Sequence, residues 1–206
     1  MKSQIQNAET MSLATAMRRL WSDHVIWTRQ YIAAAVAGAP DAQAAAERLL
    51  QNQADIGNAI APFYGADAAA ALTQLLKSHI MIAVDLVDAA IAGDKDRFGV
   101  EDKRWDDNAA EIAAFLAGAN PFWPEADVAD LLSQHLSFTK DEAVARLEQD
   151  WESDVDAFDD IFTEILTMAD VLSAGLIKQF PEQFGEGPEQ PATTPAGGHN
   201  SIHSSF

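Results

Sequence analysis

The chain has 206 residues, of which 48% are apolar, with a net charge of −19 and no cysteine. The absence of cysteine excludes disulfides, thiolate metal sites and iron–sulfur clusters. The acidic charge repels phosphate, so neither nucleic acid nor an anionic membrane is an expected partner.

Glycine and proline divide the first two thirds of the chain into helical segments. Residues 1–11 are polar, and we predict that they are flexible. Alanine is abundant, which favours helix because alanine loses no side-chain entropy there. Four helices are predicted from their caps and breakers, over 12–36, 41–61, 67–92 and 94–117.

The last third of the chain contains two more predicted helices and a tail. Pro124 suits the first turn of a short fifth helix that ends near residue 136. Thr139 with Glu142 forms a capping box, which predicts a sixth helix that runs unbroken to about Gln179. Residues 185–206 are rich in Gly, Pro, Ser and Thr, and we interpret them as a disordered tail.

These elements predict an all-α protein, an antiparallel bundle of about six helices over residues 12–184. No segment alternates apolar and polar residues as a strand does. Trp21 and His24 on the first helix have counterparts in Trp105 and Asn108 on the fourth. This similarity suggests two related three-helix halves, and chance similarity between alanine-rich helices is the alternative.

Several polar residues fall on helix faces that are otherwise apolar. His24 lies between Leu20 and Trp27, and His79 lies at the centre of the stripe of the third helix. Gln53 and Asn108 hold similar positions on the second and fourth helices. Since an unpaired buried polar group costs roughly 1–3 kcal/mol, these four side chains are expected to meet one another, water, a ligand or a metal ion.

Nitrogen and oxygen donors without sulfur suit a divalent metal such as Fe, Mn or Zn. We predict His24 and His79 as ligands, with the carboxylates of Asp55, Asp150 and Asp154. Bundles that hold two iron or manganese ions combine histidine and carboxylate ligands from facing helices. However, the chain has neither their Glu-x-x-His pair nor the His-Glu-x-x-His motif of zinc enzymes. A hydrogen-bonded core histidine is the alternative for each ring.

Three further side chains are expected to support the cluster. Gln53, Asn108 and Arg29 would orient its ligands or contact a bound cofactor. Arg29 would anchor an anionic group or orient a buried carboxylate, and an exposed salt bridge is the alternative. No nucleophile elbow or phosphate-binding glycine loop is present, so a reaction is not predicted.

Three segments carry a resemblance to a known family: LWSDHVIWTR at 20–29, NQADIGN at 52–58, and MAD through KQFP at 168–181. They resemble a poorly characterised family of small helical proteins from bacteria and some fungi. The resemblance covers about residues 12–184 and implies one helical domain, without an established activity. The placement of polar residues on inward helix faces is also similar to that in ferritin-like and hemerythrin-like bundles.

Two functional hypotheses follow from the sequence. In the first, a cytoplasmic bundle binds a metal ion or a small polar ligand at an interior cluster of histidines and carboxylates. In the second, the protein is a structural or adaptor protein without a cofactor. Its buried polar groups then fix helix register, and its acidic surface or tail recruits a protein partner. The expected cytoplasmic location rests on the lack of a signal peptide and of a bilayer-length apolar run.

Overall fold

The computed structural model describes residues 2–184, with side-chain environments from Thr10 onward. Within this range the chain forms six α-helices, a short 3-10 turn and no strand, which confirms the prediction of an all-α bundle. The helices are α1 (Lys2–Val36), α2 (Ala42–Ala59), α3 (Ala61–Ala92), α4 (Lys95–Ala119), α5 (Glu125–Glu148) and α6 (Trp151–Gln179). None of these helices is long and apolar enough to cross a membrane. The predicted tail, 185–206, lies outside the described residues.

The prediction of one continuous helix from Thr139 to Gln179 is wrong. Helix α5 continues to Glu148, and α6 begins after a turn in which Gln149 adopts a left-handed φ of 61°. Asp150 then caps α6, because its carboxylate accepts a hydrogen bond from the backbone N–H of Ser153. Thr139 caps nothing, since its hydroxyl donates to the carbonyl of His135 inside α5.

Helix α1 begins at Lys2, earlier than the predicted start at residue 12. Ile60 separates α2 from α3, and α3 itself contains a kink at Gly65, whose φ of 85° and ψ of 171° are not helical. The first turn of α3 is therefore set apart from the helix that continues to Ala92. The flexibility predicted for residues 1–11 stays a prediction.

The six helices form a closed ring in which each packs against the next and α6 packs against α1. Helices α1, α3 and α5 also contact one another across the middle of the ring. The short connections make neighbouring helices antiparallel, so the chain is a succession of three helical hairpins: α1–α2, α3–α4 and α5–α6.

Buried positions repeat from one hairpin to the next at a spacing of 55 or 56 residues. On the central helices, the equivalent buried sets are Met17, Leu72 and Val128; Trp21, Leu76 and Leu132; His24, His79 and His135. On the outer helices, they are Leu49, Trp105 and Ile161; Asn52, Asn108 and Glu164; Ile56, Ile112 and Met168. The repeat is therefore threefold and relates α1 to α3 and α5, rather than pairing α1 with α4 as the two-halves prediction did.

Candidate histidine centre

Three buried histidines converge at the centre of the bundle, one from each central helix. His24, His79 and His135 expose only 3%, 4% and 3% of their surfaces. Their equivalent places in the repeat put the three rings at one level along the bundle axis. The sequence identified the first two of these residues and missed the third.

The three imidazole rings contact one another in a row. The Nε2 atoms of His24 and His135 face each other at 3.4 Å, and the centroids of these rings are 5.3 Å apart. The ring centroids of His79 and His135 are 6.3 Å apart. Trp21 and Trp105 flank the row, with ring centroids 5.9 Å from His24 and 5.1 Å from His79.

Each histidine holds its Nδ1 atom against a polar side chain of the following helix, 29 residues further along the chain. The three distances are 3.1 Å from His24 to Gln53 Nε2, 2.9 Å from His79 to Asn108 Oδ1 and 3.2 Å from His135 to Glu164 Oε2. All three partners are buried. The Nδ1 contacts orient the rings, and the Nε2 atoms of His24 and His135 face each other.

The hydrogen bonds of the Asn108 amide determine which ring nitrogen of His79 carries the proton. Its Nδ2 donates to the carbonyl of Leu75, one turn before the histidine, so its Oδ1 accepts from His79 Nδ1–H. The Nε2 atom of His79 therefore carries a free lone pair.

In the first hairpin two amides share the role that Asn108 has in the second. Asn52 Nδ2 donates to the carbonyl of Leu20, and its Oδ1 accepts from Gln53 Nε2. Gln53 Nε2 also lies 2.9 Å from the carbonyl of Leu49 and 3.1 Å from His24 Nδ1, so its two N–H groups face three acceptors. With the amide in this orientation His24 Nδ1 accepts, and the proton of His24 lies on Nε2.

Because the proton of His24 lies on Nε2, the hydrogen bonds from His24 to His135 and on to Glu164 all donate in the same direction. His24 Nε2–H donates to His135 Nε2, and His135 Nδ1–H donates to the carboxylate of Glu164. Two buried oxygens next to this chain of hydrogen bonds have no hydrogen-bond partner among the described residues: Gln53 Oε1 and Glu164 Oε1. Such orphaned atoms are uncommon in a folded protein and point to a further ligand or a second arrangement.

Burial keeps His24 and His79 neutral. Loss of solvation lowers the pKa of His24 well below its usual value, and the nearby His135 and His79 lower it further. Desolvation, with the charge of His135, lowers the pKa of His79 to about 3, although the hydrogen bond to Asn108 acts in the opposite direction. Neutral imidazoles with free lone pairs are the form that binds metal ions.

A cavity of about 20 Å³ lies against all three histidine rings, beside Thr28, Thr139 and Trp105. About 10–15 Å³ suffices for one water molecule, so the space holds one molecule of that size. Most of the remaining wall is aliphatic and comes from the central helices and α2: Ile32, Leu49, Ile80, Val84, Leu86 and Val87. Tyr31 and Lys140 also line the cavity.

The structure does not bring the predicted carboxylates to the histidines, which corrects that part of the sequence-based site. Asp55 lies on the surface, where it accepts from Gln51 and faces Arg48 at 4.0 Å. Asp150 is the exposed cap of α6. Asp154 is buried, but its partners are two arginines rather than imidazoles.

Arg29 belongs with Asp154 in a separate cluster, which we call the ionic cluster: Arg29, Glu142, Arg146 and Asp154. Arg29 binds Glu142 at 2.6 Å and both oxygens of Asp154 at 3.0 Å, and Arg146 reaches Asp154 at 2.9 Å. Arg29 thus orients buried carboxylates, which was one of its two predicted roles. It has no described contact with the histidines.

Of the predicted supporting residues, Gln53 and Asn108 do contact the histidines. His135 on α5 and Glu164 on α6 were missed because the boundary between these two helices was placed at the wrong residue, so their positions on buried faces were not recognised. The constant spacing of the three histidines and of their partners would have located both.

No family model matches the chain, and neither the curated proteins nor the solved structures that were compared show significant similarity to it. The resemblance to a family of small helical proteins therefore stays a prediction. Among residues 2–184, no group of three or more histidine, aspartate and glutamate side chains has an arrangement that could hold a metal ion.

Proposed function

We propose that the histidine centre binds one divalent transition-metal ion through the imidazoles of His24, His79 and His135. The observation that carries this proposal is the 3.4 Å separation of His24 Nε2 and His135 Nε2 at the middle of the bundle. Two nitrogen ligands at 2.0–2.1 Å from a tetrahedral metal are roughly 3.3–3.4 Å apart. The two atoms thus already have the spacing of neighbouring ligands.

The surroundings of the rings also favour a metal. Metal-bound histidines usually donate their other N–H to a carboxylate or carbonyl oxygen, as His135 does to Glu164 and His79 to Asn108. Three neutral nitrogen ligands suit zinc or iron, and the cavity beside them would leave a fourth position for a small molecule. Because the chain is acidic, cations are attracted toward it.

Binding requires two local adjustments. His79 must turn toward the other two rings, since the present arrangement has no ready set of three ligands. His24 must move its proton from Nε2 to Nδ1, where it would meet the amide nitrogen of Gln53. A half-turn of the Gln53 amide would instead present its unpartnered Oε1 as the acceptor.

A second candidate function is purely structural, and the directed chain from Gln53 through His24 and His135 to Glu164 favours it. That chain satisfies His24 and His135 without any ligand. In this case the three rings would fix the register of the central helices, as buried polar groups do in some bundles.

Cobalt titration of the full chain, purified without an affinity tag, distinguishes the two functions. Co²⁺ bound by three imidazoles gives visible absorption that rises to one equivalent and then stops. Because the chain also carries His199 and His203, the titration is repeated with the His199→Ala/His203→Ala variant, in which the expected absorption is unchanged.

His135→Ala and the more conservative His135→Gln should both abolish the absorption while retaining the helical circular dichroism spectrum. If the parent chain shows no such absorption, or if the tail substitutions remove it, the metal proposal is wrong. The structural role would then remain.

A further inference from the structure

The cavity beside the histidine centre differs from an ordinary substrate pocket in its volume and in the side chains that line it. At about 20 Å³ it accepts one water-sized molecule and no organic substrate. One side consists of the three imidazoles, and the other consists mainly of the aliphatic side chains named above. The ligand that fits is therefore very small.

The two threonine hydroxyls and the ammonium group of Lys140 on the cavity wall are engaged elsewhere, whereas the buried indole Nε1 of Trp105 has no hydrogen-bond partner among the described residues. The hydroxyls of Thr28 and Thr139 donate to the carbonyls of His24 and His135 within their own helices. The Nζ atom of Lys140 donates to Asp102 at 2.8 Å. No free charge therefore faces the cavity among the residues that line it, and an ion would enter at a large desolvation cost.

The cavity also extends toward the surface of the bundle. Its lining includes Thr28, Ala83, Val84 and Lys140, which are only half-buried, whereas the histidines at its inner end are buried. The lining thus runs from the buried rings to half-buried side chains of α1, α3 and α5, and this is the side from which a small molecule would enter.

We infer that this cavity admits a neutral molecule of one or two heavy atoms, such as dioxygen, to the histidine centre and excludes ions and larger molecules. The inference rests on the proposed metal site for its chemistry, because a bound metal would be the atom to which such a molecule attaches. Entry of the molecule does not depend on a metal, which makes the two proposals separable.

The test is an NMR experiment on the metal-free full chain, kept in chelator, whose methyl resonances have been assigned. Dissolved dioxygen is the probe. Paramagnetic dioxygen broadens methyl signals wherever it enters. The methyls of Ile80, Val84 and Val87 should broaden severalfold more under oxygen pressure than those of Ile165 and Leu176, which are fully buried and line no part of this cavity.

A larger neutral probe, the nitroxide TEMPOL, tests the size limit. It should broaden surface methyls and leave the cavity methyls unaffected. Equal broadening of the cavity methyls by TEMPOL would overturn the claim of exclusion, and equal broadening of cavity and control methyls by dioxygen would overturn the claim of entry.

A cavity-filling variant completes the test. Ala83→Leu places a larger side chain in the cavity and should remove the effect of dioxygen. Ala71→Leu, an exposed position on the same helix, should preserve it. Persistent broadening in Ala83→Leu would show that dioxygen reaches those methyls by another route, and this would overturn the assignment to the cavity.

Discussion

The histidine centre and the ionic cluster both bury polar side chains inside the bundle, but they do so in different ways. In the ionic cluster each buried carboxylate is matched by an arginine, and Arg29 also lies over the ring of Phe158 at 4.6 Å. In the histidine centre His24 and His79 are neutral, and two oxygens beside the rings have no partner within residues 10–184. A satisfied cluster ties helices together, whereas an incompletely satisfied one has capacity for a ligand.

The largest effect is expected from breaking the ionic cluster. Arg29→Met would leave the carboxylates of Glu142 and Asp154 buried without their main cation, which typically costs about 3–5 kcal/mol of unfolding free energy. Urea denaturation measures the loss, and cobalt binding should be unchanged.

Arg18→Met provides the matched control, since Arg18 pairs with Asp170 on the surface. It should leave the denaturation midpoint nearly unchanged. A loss in Arg29→Met no larger than in Arg18→Met would mean that the ionic cluster contributes little.

The neutral histidines predict acid sensitivity. The folded-state pKa of His79, about 3, lies below its usual value of 6.5, so the unfolded chain binds the proton more readily. The stability that His79 contributes is therefore present above pH 6.5 and is lost as the pH falls toward 3.

This loss amounts to about 1.4 kcal/mol per pH unit for one histidine. It is measured as the difference between the parent chain and His79→Gln, by urea denaturation in chelator from pH 7 to pH 4. The difference cancels other titrating groups. A constant difference across this range would contradict a neutral, buried His79.

A smaller effect is expected from changing the partner of His24. Gln53→Glu supplies an acceptor for His24 Nδ1–H, as Glu164 does for His135, and should strengthen cobalt binding about 10- to 100-fold. Gln51→Glu adds the same charge at an exposed position and should change the affinity little. If both variants bind equally well, the gain comes from charge rather than from the hydrogen bond.

The smallest effect concerns the turn that joins α5 to α6 next to the ionic cluster. Gln149 has a φ of 61°, which glycine adopts without strain. Gln149→Gly should stabilise the fold by about 0.5–1 kcal/mol, measured as a rise in Tm, without changing metal binding. A decrease in Tm would show that Gln149 contributes a side-chain contact of its own.

The sequence predicted the helices well where glycine or proline marked their ends, because these residues act locally on the backbone. It failed at Gln149 and Asp150, where a left-handed residue other than glycine ends α5. That error hid His135, Glu142 and Glu164, which all lie on buried faces of the true helices.

Local sequence patterns also could not predict which buried polar residues contact one another across helices. His24 and Asp154 are both buried, yet only the packing of α6 against α1 decides that Asp154 meets Arg29. Carboxylates were assigned to the histidines because of their chemistry, whereas the fold uses amides and a single glutamate for that role. The spacing of 55 and 56 residues between the histidines was the one long-range regularity visible in the sequence.

Anomalous diffraction from crystals of the full chain grown with Zn²⁺ tests the metal centre most directly. Data collected above and below the zinc edge should give one strong difference peak within bonding distance of the Nε2 atoms of His24, His79 and His135, with the Gln53 oxygen turned toward His24. Peaks confined to surface carboxylates, or a centre that keeps the 3.4 Å contact between His24 and His135 with no peak, would contradict the account.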